Sequence, residues 1–181
     1  MYMKKLFLFI STLFFAWMIK PKKVLAPLKQ EHEHLYPGTN LTIIPGDLLF
    51  SPIGKKESRY IGHVGIVTKN NTVIHSIPSG VIQNQMEAYF NKFSNIRIYS
   101  ALDTKSGEAA ADYAVKLQKE NPMATYKIWT PIGRTNVEQY CTKIVWQAYQ
   151  FGAGVNLGKV SPYAKSVHPE RLKDRRYLFK K

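Results

Sequence analysis

One cysteine in 181 residues excludes an internal disulfide and any cysteine-rich zinc site. Acids are also few: 12 Asp and Glu stand against 26 Lys and Arg, giving a formal net charge of +14. The sequence has no internal repeat and no glycine-rich phosphate loop, so no nucleotide or other cofactor is implied. No apolar run reaches the roughly 20 residues that cross a bilayer comfortably. The basic residues are scattered rather than gathered into a stripe, which argues against a nucleic-acid partner. A positive balance of this size favours an anionic neighbour such as an acidic polymer, a cell wall or a lipid surface.

What is present begins with a basic start, Lys4-Lys5, and an apolar run from Leu6 to Ile19 broken only by Ser11 and Thr12. Val24-Leu25-Ala26 offers a small-residue exit. This layout predicts a secretory signal peptide over residues 1–26. Lys20, Lys22 and Lys23 lie between the run and that exit, so an uncleaved membrane anchor over residues 5–19 is the alternative. Either places the folded part outside the cytoplasm, secreted or held at the cell surface. Residues 27–44 read as a linker punctuated by Pro27, Pro37 and Gly38. Within it Glu31-His32-Glu33-His34 resembles a metal tract, but no further ligand is near and solvated side chains are expected. No metal site is predicted. Residues 45–181 form one domain.

Within that domain the pattern predicts strands at Asp47–Phe50, His63–Val67, Thr72–Ile77 and Ile96–Ser100. Met86–Phe93 reads as a short helix. Ala110, Tyr113, Ala114 and Leu117 recur at helical spacing within Ser106–Lys119. Tyr126–Thr130 is strand or loop, Glu138–Phe151 is a helix ended by Gly152, and the basic tail from Gly158 wraps the surface. Strands with helices around them give the α+β class.

Two histidines and the single cysteine are the candidate chemistry. Strand side chains alternate faces, so the loop between the second and third strands decides whether His63 and His75 meet. A two-residue turn would put them on opposite faces. A three-residue loop, Lys69-Asn70-Asn71, pairs Thr68 with Thr72 and sets Gly65 opposite His75. His63 then lies diagonal to His75, roughly 7 Å away on the same face. That loop needs a left-handed last residue, which Asn71 tolerates. Cys141 falls on the buried face of its helix, in the first turn, where free amides favour an anion. Such a position, with an imidazolium nearby, lowers a thiol pKa from about 8.5 toward about 3.5 to 7.5. The Cys141 amide is then a natural oxyanion donor, and Tyr140 beside it is a second substrate or oxyanion candidate. Taken singly, each residue is as readily a core group. Taken together they supply nucleophile, base and orienter.

The stretches Gly46-Asp47-Leu48-Leu49-Phe50, His63-Val64-Gly65-Ile66-Val67, Val73-Ile74-His75 and Tyr140-Cys141-Thr142-Lys143-Ile144-Val145-Trp146 resemble the permuted branch of the NlpC/P60 thiol hydrolases. YycO- and YiiX-like proteins and the lecithin retinol acyltransferase relatives belong to that branch. The resemblance covers about residues 45 to 172. The histidine precedes the cysteine, the order of the permuted branch. The resemblance implies a papain-like fold, a small antiparallel sheet with the nucleophile helix packed against it. It implies Cys141 as nucleophile, His63 as general base and His75 as the third polar residue, often glutamate in bacterial relatives. Thr142 stands where those relatives tend to have serine. His168, in the closing segment, is expected to be structural. The leading expectation is a cysteine hydrolase that cleaves an amide or ester, a cell-wall peptide or an acyl-amide or lipid substrate, through an acyl-enzyme. The alternatives are a basic envelope-binding module without turnover, or a lipid acyltransferase.

Overall fold

The computed structural model describes residues 34–52, 62–135 and 137–181. The predicted signal peptide, the first part of the linker (residues 27–33, with Glu31, His32 and Glu33) and the charged loop at 55–59 lie outside the described residues. The chain divides into two units, Met1–Glu33 and His34–Lys181, and the second is described below. Among the described residues no helix is long and apolar enough to cross a membrane.

A six-stranded sheet forms the centre. Its strands are β1 (Leu48–Ser51), β2 (His63–Val67), β3 (Thr72–Ile77), β4 (Gly80–Gln85), β5 (Arg97–Ala101) and β8 (Leu178–Lys180), in the order β4-β3-β2-β1-β5-β8. Every pairing in it is antiparallel. A short parallel pair, β6 (Thr125–Tyr126) with β7 (Glu138–Gln139), stands apart. Helix α1 (Met86–Lys92) follows β4, α2 (Thr104–Glu120) follows β5, and α3 (Cys141–Gln147) follows β7. This is the α+β, papain-like arrangement expected from the sequence.

The sheet divides two apolar cores, because alternate side chains leave opposite faces. On one face Leu48, Phe50, Val64, Ile66, Ile74 and Val81 pack with Ala110, Ala114 and Leu117 of α2 and with Cys141, Ile144 and Val145 of α3. On the other, Leu49, Val67 and Val73 pack with Met86, Tyr89 and Phe93. The α2 helix starts cleanly because Asp103 caps it, accepting from the Lys105 and Ser106 amides.

Several expectations need correction. The helix bearing the cysteine begins at Cys141, not Glu138. Glu138 and Gln139 are drawn out to pair with Thr125 and Tyr126, and Tyr140 is an extended cap with φ −153°. After Gln147 the helix widens into a π-turn, Ala148–Gly152, whose end lies close against α2: a Cβ on Gly152 would sit 2.6 Å from the Ala109 carbonyl oxygen. Residues 34–44, read as linker, are packed. Tyr36 is buried, and its hydroxyl donates to Asp47 Oδ2 at 2.5 Å. Buried Asp47 also accepts from Ser100 Oγ and from Lys181 Nζ (2.7 Å), tying β5 and the end of the chain to the start of β1. Besides β7, two strands were not expected: polar edge strand β4, and β8, which ends the sheet beyond β5.

The β2–β3 loop is the odd-length one. Thr68 N–H donates to the Thr72 carbonyl at 2.8 Å, Val67 pairs with Val73 and Ile66 with Ile74. Asn71 holds the left-handed conformation at φ 56°. Asn71→Gly should therefore leave urea stability within a few tenths of a kcal/mol. Asn71→Val should cost about 1–2 kcal/mol by forcing a β-branched residue into that region.

Candidate active site

The register delivers the two imidazoles to one face. His63 Nε2 lies 2.9 Å from His75 Nδ1, with the rings nearly perpendicular. His75 Nε2 lies 2.7 Å from Asn84 Oδ1 on the edge strand β4. An amide oxygen can only accept, so His75 carries its proton on Nε2. Its Nδ1 is then the acceptor, and His63 donates from Nε2. The lone pair of neutral His63 is thereby fixed on Nδ1. Asn84 was not anticipated, because a polar edge strand shows no apolar alternation. The signal was its place two residues beyond Ile82, which pairs with His75.

Aromatic rings wall in this pair. His63 stacks on Phe93, with centroids 4.4 Å apart and planes 6° apart. Tyr89 meets the edge of His75 at 5.1 Å and donates its hydroxyl to the Leu49 carbonyl. The absence of a side chain at Gly65 admits Tyr89 rather than the imidazole. A Cβ there would lie 2.6 Å from Val73 Cγ1 and 3.1 Å from the Tyr89 ring and hydroxyl.

Cys141 belongs to the core on the other face, and a parting of the strands brings its sulfur to β2. Val67 bonds with β1-side groups and Thr68 with Thr72, so the amides of even-numbered β2 residues point toward β3. The β1–β2 ladder runs on to Ser51–His63, whereas the β2–β3 ladder ends at Ile66–Ile74. The Val64 amide is left to the cysteine, and it is one of the donors that favour the Cys141 thiolate. The others are the Thr142 hydroxyl (3.9 Å from the sulfur), the Thr142 amide and the Tyr126 hydroxyl. The sulfur is thus held at the residue next to His63.

Electrostatics depart from the expectation of a resting thiolate. Burial pushes the Cys141 thiol above its ordinary range, and the four donors only partly offset it. Burial likewise pushes His63 well below the ordinary histidine value, with His75 and Lys92 adding repulsion. Both groups are neutral near pH 7. Lys143, two residues along the helix, is also buried and is lowered to about 8, chiefly by desolvation. Its ammonium donates to the Glu138 carbonyl (2.8 Å) and to Thr130 Oγ1 (3.3 Å), tying both residues to the start of the helix.

Tyr126, Ile128, Tyr140, Cys141, Thr142, Ser166 and Val167 line a small, partly open slot of about 30 Å³. Tyr140 is buried and its oxygen accepts from the Val167 amide at 3.3 Å; burial lifts the phenol to about 12, so it keeps its proton. His168 is not among the lining residues. Its Nδ1 accepts from the Glu170 amide and caps a 3-10 turn, Pro169–Leu172. Among the described residues, no group of three or more His, Cys, Asp or Glu could hold a metal ion.

Because His63 binds a proton more readily unfolded than folded, the unfolded state takes up protons first as pH falls. Stability should be full above about pH 6.5, the unfolded histidine value, and decline as pH drops toward the lowered folded value. Thermal unfolding followed from pH 7.5 to 5 should show this slope, and His63→Gln should flatten it. An equal slope in the variant would mean that another group carries the effect.

A family model described as "Lipoprotein N-acylation protein LnsA-like" matches residues 3–175. Among solved structures, yiiX from Escherichia coli O157:H7, described as a metalloprotein, is similar in fold. Its TM-score is 0.56 at 15% sequence identity, over 76% of this chain and 96% of that one. No curated protein matches the chain.

Proposed function

The chain belongs to the LnsA-like family of lipoprotein N-acylation proteins, and from that membership we propose that it transfers an acyl chain from a lipid ester to an amine, using Cys141 as the nucleophile. Acyl transfer, one of the alternatives open to the sequence, here takes precedence over hydrolysis of a cell-wall peptide. The observation that carries the reading is the lining of the slot around Cys141. Beside the polar Thr142 and Ser166, Ile128, Val167, Tyr126 and Tyr140 make the wall mostly apolar, which suits an alkyl chain better than a peptide. A hydrolase needs water at the thioester; an acyltransferase is served by its exclusion.

The steps follow from the neutral pair. The Cys141 sulfur attacks the ester carbonyl while Nδ1 of His63 accepts the thiol proton. The tetrahedral intermediate collapses, and the leaving alkoxide takes that proton back from His63. This leaves Cys141 as an acyl thioester. An unprotonated amine then attacks the thioester, passes a proton to His63 and forms the amide, and the released thiolate is reprotonated. His75 and Asn84 hold the tautomer that leaves Nδ1 open to the proton, and the Cys141 amide and Tyr140 hydroxyl are the candidate donors to the oxyanion.

Incubation with a diacyl phospholipid and an amine-bearing lipopeptide should yield, by mass spectrometry, a thioester on Cys141 and an acylated amine. Cys141→Ala should abolish both, and His63→Ala should slow thioester formation by about a hundredfold or more. Release of free fatty acid with no acylated amine would restore the hydrolase reading. A Cys141 that never becomes acylated would leave a binding module.

A further inference from the structure

The two segments that wall the Cys141 slot also carry the most exposed aromatic side chains near it. Trp129 is 70% exposed and Tyr163 is 85% exposed. They stand on one lip. Ile132 N–H donates to the Ala164 carbonyl, Gly133 N–H to that of Pro162, and Ser166 N–H to that of Ile128, all at 2.8–2.9 Å. Residues 128–133 and 162–166 are thus laced side by side. Ile128 and Ser166 of the same pair face the slot. Gly133 permits the lacing, since a Cβ there would lie 2.6 Å from Pro162. Val137, also exposed, accepts through its carbonyl from the Thr125 amide in the same 122–137 stretch.

Charge on this lip has one sign. Residues 122–137 and 157–169 contain no Asp or Glu, while Lys127, Arg134, Lys159 and Lys165 are exposed. Lys127 is paired with Glu138, just outside the first stretch, at 2.6 Å. Trp and Tyr rings favour the headgroup level of a bilayer, where an apolar body and a polar tip are both satisfied. Each Lys or Arg close to an anionic leaflet adds about 1 kcal/mol of attraction.

We infer that this lip is a seat for an anionic lipid bilayer: Trp129 and Tyr163 enter the headgroup region, Arg134 and Lys165 meet lipid phosphates, and the slot to Cys141 opens toward the membrane. The seat extends the acyl-transfer reading, because an acyl chain could then pass from the bilayer to the sulfur without crossing water. Attachment by this lip is nevertheless a separate property from turnover.

The test uses the full chain carrying Trp17→Phe. Of the two remaining tryptophans, Trp146 is fully buried, so Trp129 alone answers to external quenchers. On vesicles of phosphatidylglycerol and phosphatidylcholine, Trp129 should be quenched by lipids brominated near the top of the acyl chain. It should also lose access to aqueous iodide. Lys165→Glu with Arg134→Glu should weaken that quenching, about fivefold in apparent affinity for each positive charge removed. Trp129 remaining open to iodide while the chain sits on vesicles would overturn the seat, as would shielding by a protein partner alone. Tyr163→Ser with Lys165→Glu should slow acylation from vesicle lipid about tenfold and leave a water-soluble short-chain ester donor unaffected. No turnover of either donor by the wild type, with quenching intact, would sink the acyl-transfer reading and spare the seat. Equal loss on both donors would overturn the seat's role in delivery.

Discussion

A single hydrogen bond, His63 Nε2 to His75 Nδ1, depends on more of this molecule than any other contact in the site. It exists only because β2 and β3 are in one register, and a slip of one residue would turn either ring to the opposite face. The register in turn rests on Asn71 closing a three-residue loop with positive φ. Gly65 leaves room for Tyr89 to close the pocket from the side of α1. Asn84 then converts position into chemistry, because its carbonyl oxygen dictates which nitrogen of His75, and so of His63, bears hydrogen.

Desolvation sets the chemistry that this geometry can perform. The thiol and His63 are shifted in opposite directions by the same burial, each toward its uncharged form. A thiolate–imidazolium pair, as at an exposed helix start beside a charged base, would need two charges in a space walled by Phe93, Tyr89 and the slot residues. In the proposed mechanism the neutral pair would suit proton transfer concerted with attack. The third residue points the same way. A carboxylate in the place of His75, as often in the bacterial relatives that the chain resembles, would stabilise the His63 imidazolium. A neutral imidazole backed by an amide does not. Burial and the hydrogen-bond chain therefore keep His63 unprotonated over a wide range of pH.

Much of this could be read from the chain, and the exceptions have physical causes. Strands β2 and β3 are fully defined by their apolar residues, and the choice between loop lengths followed from the requirement that two rings meet. The start of α3 was misplaced by three residues, because helical spacing around Cys141 extends backward through Glu138 whatever the backbone does there. A parallel pairing with Thr125 and Tyr126 claimed Glu138 and Gln139, and the spacing holds no trace of it. Polar β4 and the basic tail strand β8 escaped because edge strands need no apolar face. The packing of Tyr36 on Asp47 was hidden among linker-like prolines and glycines. The sense of the thiol shift was illegible for another reason: helix position and burial compete, and a sequence states the first without the depth of the second.

The end of the β2–β3 ladder at Ile66–Ile74 turns the Val64 amide, beside His63 in sequence, toward a cysteine that belongs to the core on the opposite face of the sheet. Continuous pairing past Ile66 would bind the Val64 amide to β3 and close the sheet between sulfur and imidazole. By ending the ladder there, the fold lends a backbone donor to the sulfur and keeps α3 packed through Ile144 and Val145. The same opening limits what can approach. Tyr126 and Tyr140 flank the sulfur on the slot side, and Lys143 ties down the segment above. An acyl chain can lie along such a wall, whereas a polar peptide would forfeit hydrogen bonds to it. On the proposed acyl-transfer reading, the acceptor amine would have to arrive unprotonated for the same reason, and a site this dry would select neutral reactants on both sides of the transfer.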